Sequence, residues 1–143
     1  MSRSLRPIPP LRSGLSGLAA ACAVAVAVAV AAAAAAGALP WPLVWLLVGA
    51  PLVEEVIFRL GVQETLLRRL PASRAGWATL LTAAAFAGAH LLVRPGWMAA
   101  ATVLPALAIG LLYGRTRRLA PCVLWHALFN LAGAALFGLP STP

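Results

Sequence analysis

After its first fourteen residues the chain is a succession of long apolar runs, separated by short stretches of arginine, proline and glycine. The first run, over residues 15–39, contains GLAAACAVAVAVAVAAAAAAGAL (17–39) and is low in complexity. At about 1.5 Å per residue it is long enough to cross about 30 Å of hydrocarbon. It has the arginine-bearing lead-in of a signal peptide, but such peptides carry an apolar stretch of only about 7–15 residues, so an uncleaved helix is expected. Residues 40–70 read as one long helix that enters the bilayer at Trp41 and Trp45 and ends at Arg68 and Arg69. Near that end Glu64 and Arg68 stand i,i+4, a favourable helical pair. Pro71 and Ser73 mark a turn, and a third span follows over 76–93, closed by Arg94-Pro95-Gly96. The fourth span covers 97–114, with Pro105 as a kink that lipid-embedded helices tolerate. The fifth covers 119–139. The expected architecture is all-α: a polytopic transmembrane bundle of about five spans around an intramembrane cavity. It divides into a basic, proline-rich arm (1–14), a first transmembrane helix (15–39) and a core of four transmembrane helices (40–139).

Composition supports a membrane environment. The 143 residues are 62% hydrophobic and 10% charged, with a mean hydropathy of +0.93, whereas a soluble domain is about one quarter charged. The net charge of +8 comes entirely from arginine. Because these arginines flank apolar runs, they read as topology signals and not as a nucleic-acid surface. With a cytoplasmic N-terminus, Arg3, Arg6, Arg12, Arg68, Arg69, Arg74, Arg115, Arg117 and Arg118 share the inner side. Arg94 alone falls outside, and Arg59 lies within a span. Cys22 and Cys122 are too far apart in sequence to suggest a metal knuckle or a redox pair. The tryptophans and Tyr113 read as residues of the interfacial aromatic belt.

Glu54, Glu55, Arg59, His90, His126 and Asn130 do not fit as anchors. A charge in hydrocarbon costs at least about 2.5–3.5 kcal/mol, so such residues should pair, face the bundle interior and mark function. Counted from the cytoplasmic ends of their helices, Glu54, His90 and His126 lie at depths of about 22, 20 and 10 Å. Helix geometry then separates the two glutamates. Glu55 and Arg59 are four apart and share a face, whereas Glu54 and Arg59 are about 140° apart. Arg59 should neutralise Glu55 and leave Glu54 free to act as a general base. His126 and Asn130, also four apart, can both donate to a developing oxyanion. Each residue taken alone has a plainer reading: a histidine or asparagine joining two helices, or a structural ion pair. Their convergence on three helices favours a site.

The segments EEVIFR (54–59), FAGAH (86–90) and HALFN (126–130) fit the patterns EExxxR, FxxxH and HxxxN in that order. With these motifs the chain resembles the CAAX-protease and bacteriocin-processing (CPBP, or Abi) family of intramembrane endopeptidases. The resemblance covers about residues 40–138 and implies a helical membrane bundle with its catalytic residues inside the bilayer. It further implies that Glu54 activates water and His90 positions it, that His126 and Asn130 hold the oxyanion, and that Glu55 and Arg59 support them. Members have been described both as metallo-endopeptidases and as glutamic proteases. Glu54, His90 and His126 would be the ligands of a zinc ion, but the chain has no HExxH pair, and a ligating glutamate could not also be the base. A metal-free mechanism is therefore expected. The chain is short for the family and resembles compact bacterial members of the myxosortase type, which cleave C-terminal membrane-anchoring sorting signals. The expected substrate is a membrane-anchored protein, and the expected location is a bacterial inner membrane. The alternative from another class is a non-enzymatic membrane adaptor or immunity protein on the same scaffold.

Overall fold

The computed structural model describes residue 28, residues 30–33 and residues 35–138. The arm at 1–14 lies outside the described residues, as does most of the Ala/Val-rich run at 15–39. Where that run is described it is helical as far as Ala35. Gly37 then turns the chain at φ +72°, with Ala38 N–H reaching back to Ala33 O at 2.8 Å. Only glycine takes this conformation without steric cost, and it ends many helices this way.

Four long helices follow. Helix α1 runs through 41–69, α2 through Ala75–Leu91, α3 through Gly96–Thr116 and α4 through Leu119–Phe137. No strand occurs among the described residues. The expected boundaries of 40–70, 76–93, 97–114 and 119–139 thus hold to within a few residues. Among the described residues, α3 and α4 are long and apolar enough on their own to cross a membrane.

Two features within these helices have sequence causes. Helix α3 breaks at Thr102, between Gly96–Ala101 and Val103–Thr116. Pro105 has no N–H for the carbonyl of Ala101, and its ring would collide with that carbonyl, so the helix yields one turn earlier. Helix α1 is continuous but twice widens into π-helical turns, at Trp45–Gly49 and at Val56–Gln63. Over the first of these turns the Trp45 ring lies against the backbone of Gly49. A Cβ on Gly49 would sit 2.3 Å from Trp45 Cε3, so the indole lies where any other side chain would begin.

The packing is inverted relative to a water-soluble protein. The largest fully buried side chains include Arg59, Gln63, Glu55 and Thr82. Leu52, Ile57, Leu80, Leu104, Leu111 and Leu131 are exposed. Such an exterior is stable against lipid, and interior polar groups then have only one another as partners. Helix α2 packs along α3, α4 packs against α3 and the first half of α1, and the second half of α1 packs on α2. Three helices therefore meet at Glu54 and Glu55.

Tyr113 departs from its expected place in the aromatic belt. It is buried, and its hydroxyl donates to Glu64 Oε2 at 3.0 Å. Glu64 also receives Arg68 at 2.9 Å and Arg117. This carboxylate joins the end of α1 to the end of α3, and the phenol is drawn inward to complete the join. Arg117 occupies the left-handed cap position of α3 at φ 51°.

Candidate active site

The interior of α1 carries one polar row. Glu55, Arg59 and Gln63 stand four residues apart, and the wide turn at Val56–Gln63 brings residues at that spacing closer to a common face. All three side chains are fully buried. Arg59 Nε donates to Glu55 Oε2 at 2.8 Å, Nη1 to Gln63 Oε1 at 3.1 Å and Nη2 to Ala106 O at 3.3 Å. Gln63 Nε2 donates to Gly110 O at 2.8 Å and to Thr79 Oγ1 at 3.2 Å. The guanidinium is thus held by a carboxylate, an amide and a carbonyl, as a cation buried away from water requires.

The second oxygen of Glu55 faces α4. His126 Nδ1 lies 2.8 Å from Glu55 Oε1. A carboxylate already paired to arginine is an acceptor, so Nδ1 carries the proton and donates. His90 is tied in the same sense on α2, its Nδ1 donating to Phe86 O at 2.9 Å. In both rings the Nε2 edge is left for the site. Both edges point at one atom, Glu54 Oε2, from 3.5 Å for His126 and 3.9 Å for His90. That oxygen is buried and has no hydrogen-bond partner. The Glu54 side chain as a whole is 28% exposed, so the carboxylate sits at an opening.

Phe86 holds this geometry. Its ring stacks on His90 with centroids 4.4 Å apart and meets His126 edge-on at 5.7 Å, while Phe58 packs across it at 4.9 Å. The phenylalanine of FxxxH thus orients one histidine by its carbonyl and touches both by its ring.

Asn130 stands one turn beyond His126, and its Nδ2 donates to Leu46 O at 2.9 Å. The π-helical turn explains why that carbonyl is open. Ala50 N–H reaches back five residues to Trp45 O, and in this register Leu46 O would be served by Pro51, which has no N–H. One amide proton of Asn130 meets this need, and the other remains available.

Of the sequence-derived site residues, Asn130 is bound to Leu46 O and the other five divide into two groups. Glu54, His90 and His126 converge, and Glu55 pairs with Arg59 on a separate face, as the helix-face argument expects. The link from Glu55 to His126 was not foreseen, nor was any role for Gln63, Thr79, Phe86 or the carbonyls of Ala106 and Gly110. A signal was present in the sequence: Gln63 continues the four-residue step of Glu55 and Arg59 inside an apolar run. Among the described residues no group of three or more His, Cys, Asp or Glu side chains is arranged to hold a metal ion. Around Glu54 Oε2, the atoms a zinc site would need stand at 3.5 Å (His126 Nε2) and 3.9 Å (His90 Nε2).

Residues 36–132 match the family described as Rce1-like, type II CAAX prenyl endopeptidase Rce1-like. The match covers more than half of the chain and includes every residue of the cluster. Neither the comparison with curated proteins nor that with solved structures gave a match.

Proposed function

The chain belongs to the type II CAAX prenyl endopeptidase Rce1-like family of membrane-embedded proteases, and from that premise we propose that Glu54 is the general base of an intramembrane endopeptidase. The observation that carries this reading is the unpartnered Glu54 Oε2, faced by the Nε2 edges of two histidines whose Nδ1 protons are engaged elsewhere. With Nδ1 protonated, a neutral His90 offers Nε2 as an acceptor. A water between Glu54 and His90 donates one proton to each, which aims an oxygen lone pair at the substrate carbonyl.

Attack forms the new C–O bond as Glu54 takes the proton, and the carbonyl electrons move onto its oxygen. His126 as an imidazolium donates from Nε2 to that oxyanion while Nδ1 stays on Glu55. The second amide proton of Asn130 is the other donor. Collapse breaks the C–N bond, and Glu54 returns its proton to the leaving amine. Glu55 and Arg59 hold the histidine and touch no substrate. Each of these steps uses side chains of the chain itself.

The substrate is a membrane-anchored protein cut near a C-terminal anchor, either a lipidated CAAX-like end or a hydrophobic sorting signal of the myxosortase kind. Two observations support this: the apolar exterior confines substrates to those reaching Glu54 from the bilayer, and the family is described by CAAX processing. The arginine distribution supports an inner-membrane protein with a cytoplasmic N-terminus. The test is a comparison of membrane-protein termini in the native cell lacking the gene and complemented with wild type or Glu54→Gln. The expected result is a protein with a shortened terminus that appears with wild type only. The same shortened protein with Glu54→Gln overturns the assignment of the base, and a restored phenotype without any altered terminus favours the adaptor reading.

A further inference from the structure

Gln63 lies two helical steps from Glu55 and touches nothing at the opening beside Glu54. It is nevertheless fully buried and uses both ends of its amide. Its Nε2 is anchored to Gly110 O on α3 and Thr79 Oγ1 on α2, and its Oε1 receives Arg59 Nη1. Arg59 Nε then holds Glu55 Oε2, and Glu55 Oε1 holds His126 Nδ1. Gly110 is part of the arrangement. A Cβ there would lie 2.8 Å from Thr79 Cγ2 and 3.2 Å from Arg59 Nη1, so glycine permits the approach. We propose that Gln63 is a positioning residue for the hydrolysis: through Arg59 and Glu55 it fixes the protonated nitrogen and the orientation of His126. The inference rests on the proposed protease reading only for its consequence in catalysis.

The chemistry explains why an amide serves there. Arg59 needs an acceptor at Nη1, and Gly110 O and Thr79 Oγ1 present acceptors to a donor at the same place. A glutamine supplies both without adding charge. Leucine supplies neither, and an ionised carboxylate supplies only the acceptor while competing with Glu55 for the guanidinium. A protonated carboxyl supplies both again. The groups facing position 63 are Arg59 on α1, Thr79 on α2 and Gly110 O on α3. Glu55 and His126 lie further along the chain of bonds, and the Cys122 thiol of α4 is within electrostatic reach of Glu55 and Arg59.

The test uses the purified full chain in lipid nanodiscs, as wild type, Gln63→Leu and Gln63→Glu. The first readout is nitrogen NMR of the histidine side chains, which reports the protonated ring nitrogen of His126 and does not depend on turnover. The second is the pH profile for cleavage of a farnesylated peptide ending in a CAAX sequence. In wild type, neutral His126 should carry its proton at Nδ1, and the imidazolium that serves the oxyanion should keep that proton there and add one at Nε2. Gln63→Leu should lose that preference and cut kcat by about tenfold or more with little change in KM. Gln63→Glu should approach wild type at acidic pH and fall away as the introduced carboxyl ionises. Should Gln63→Leu fail to fold, Gln63→Glu decides alone, since a purely structural role predicts no acid-shifted profile. A wild-type-like His126 spectrum in the folded variants overturns the positioning role. If wild type cleaves neither this peptide nor one ending in a hydrophobic, arginine-tailed sorting signal while the His126 spectrum responds to Gln63, the protease reading fails and the positioning chain stands.

Discussion

Glu54 and Glu55 are neighbours with the same side chain, yet they face opposite circumstances. Glu55 is sealed, with Arg59 on one oxygen and His126 on the other. Glu54 sits at an opening, and its inner oxygen has no hydrogen bond. One face of α1 is a closed polar row tied to three other helices, and the adjacent face presents a carboxylate to two histidines. On the proposed reading of Glu54 as the base, the contrast is how a chain with three acidic residues holds a reactive carboxylate in a bilayer. The satisfied face supplies the rigidity, and the unsatisfied face supplies the chemistry.

The largest disturbance of this division is expected on the sealed face. Arg59→Ala leaves Glu55 buried without its cation and should cost about 3–5 kcal/mol, seen as loss of folded protein in thermal melts followed by circular dichroism. Replacing both partners, Glu55→Leu with Arg59→Met, should recover only part of that stability: the unpaired buried charge is gone, but Gln63 Oε1 and His126 Nδ1 lose their partners. Cleavage should stay low in the double variant, since His126 has lost its Nδ1 acceptor. Recovery of both fold and rate would mean that Glu55 serves Arg59 alone.

Asn130→Ala acts between the two faces. It removes one proposed oxyanion donor, with a fall in kcat of about 10²–10³-fold. It also strips Leu46 O of its partner, with a further cost of about 1–3 kcal/mol in stability. Gly110→Ala should be milder. The added methyl presses on Thr79 and Arg59 and should cost about 1–3 kcal/mol by overpacking, with a small drop in rate. Smallest of all is Glu64→Gln at the far end of α1, which should leave cleavage unchanged and lower the melting temperature slightly, less so at high salt.

Most of the helical layout is legible in the sequence because lipid leaves the backbone few choices. A long apolar run bounded by Arg68 and Arg69, or by Arg94 and Pro95, has to be a helix of that extent. The separation of Glu54 from Glu55 follows from helical spacing alone. What spacing does not reveal is where the backbone departs from the regular helix. The π-helical turn that opens Leu46 O for Asn130 depends on Pro51 and on register, and no periodicity reports that. Tyr113 illustrates a second limit: an aromatic near a span end suits the interface until a half-buried carboxylate such as Glu64 comes within reach. The contact of Glu55 with His126 crosses from α1 to α4, and only the packing of those helices discloses it.

The difference between the two glutamates is tested most directly by comparing wild type, Glu54→Gln and Glu55→Gln at equal amounts of folded protein in liposomes. The measurement is the initial rate of peptide-bond cleavage beside the melting temperature of each. Glu54→Gln should lower the rate by about 10²–10⁴-fold, the usual worth of a general base, at an unchanged melting temperature. Glu55→Gln should lower the melting temperature first. A Glu54→Gln protein that cleaves at the wild-type rate would contradict the assignment of Glu54 as the base.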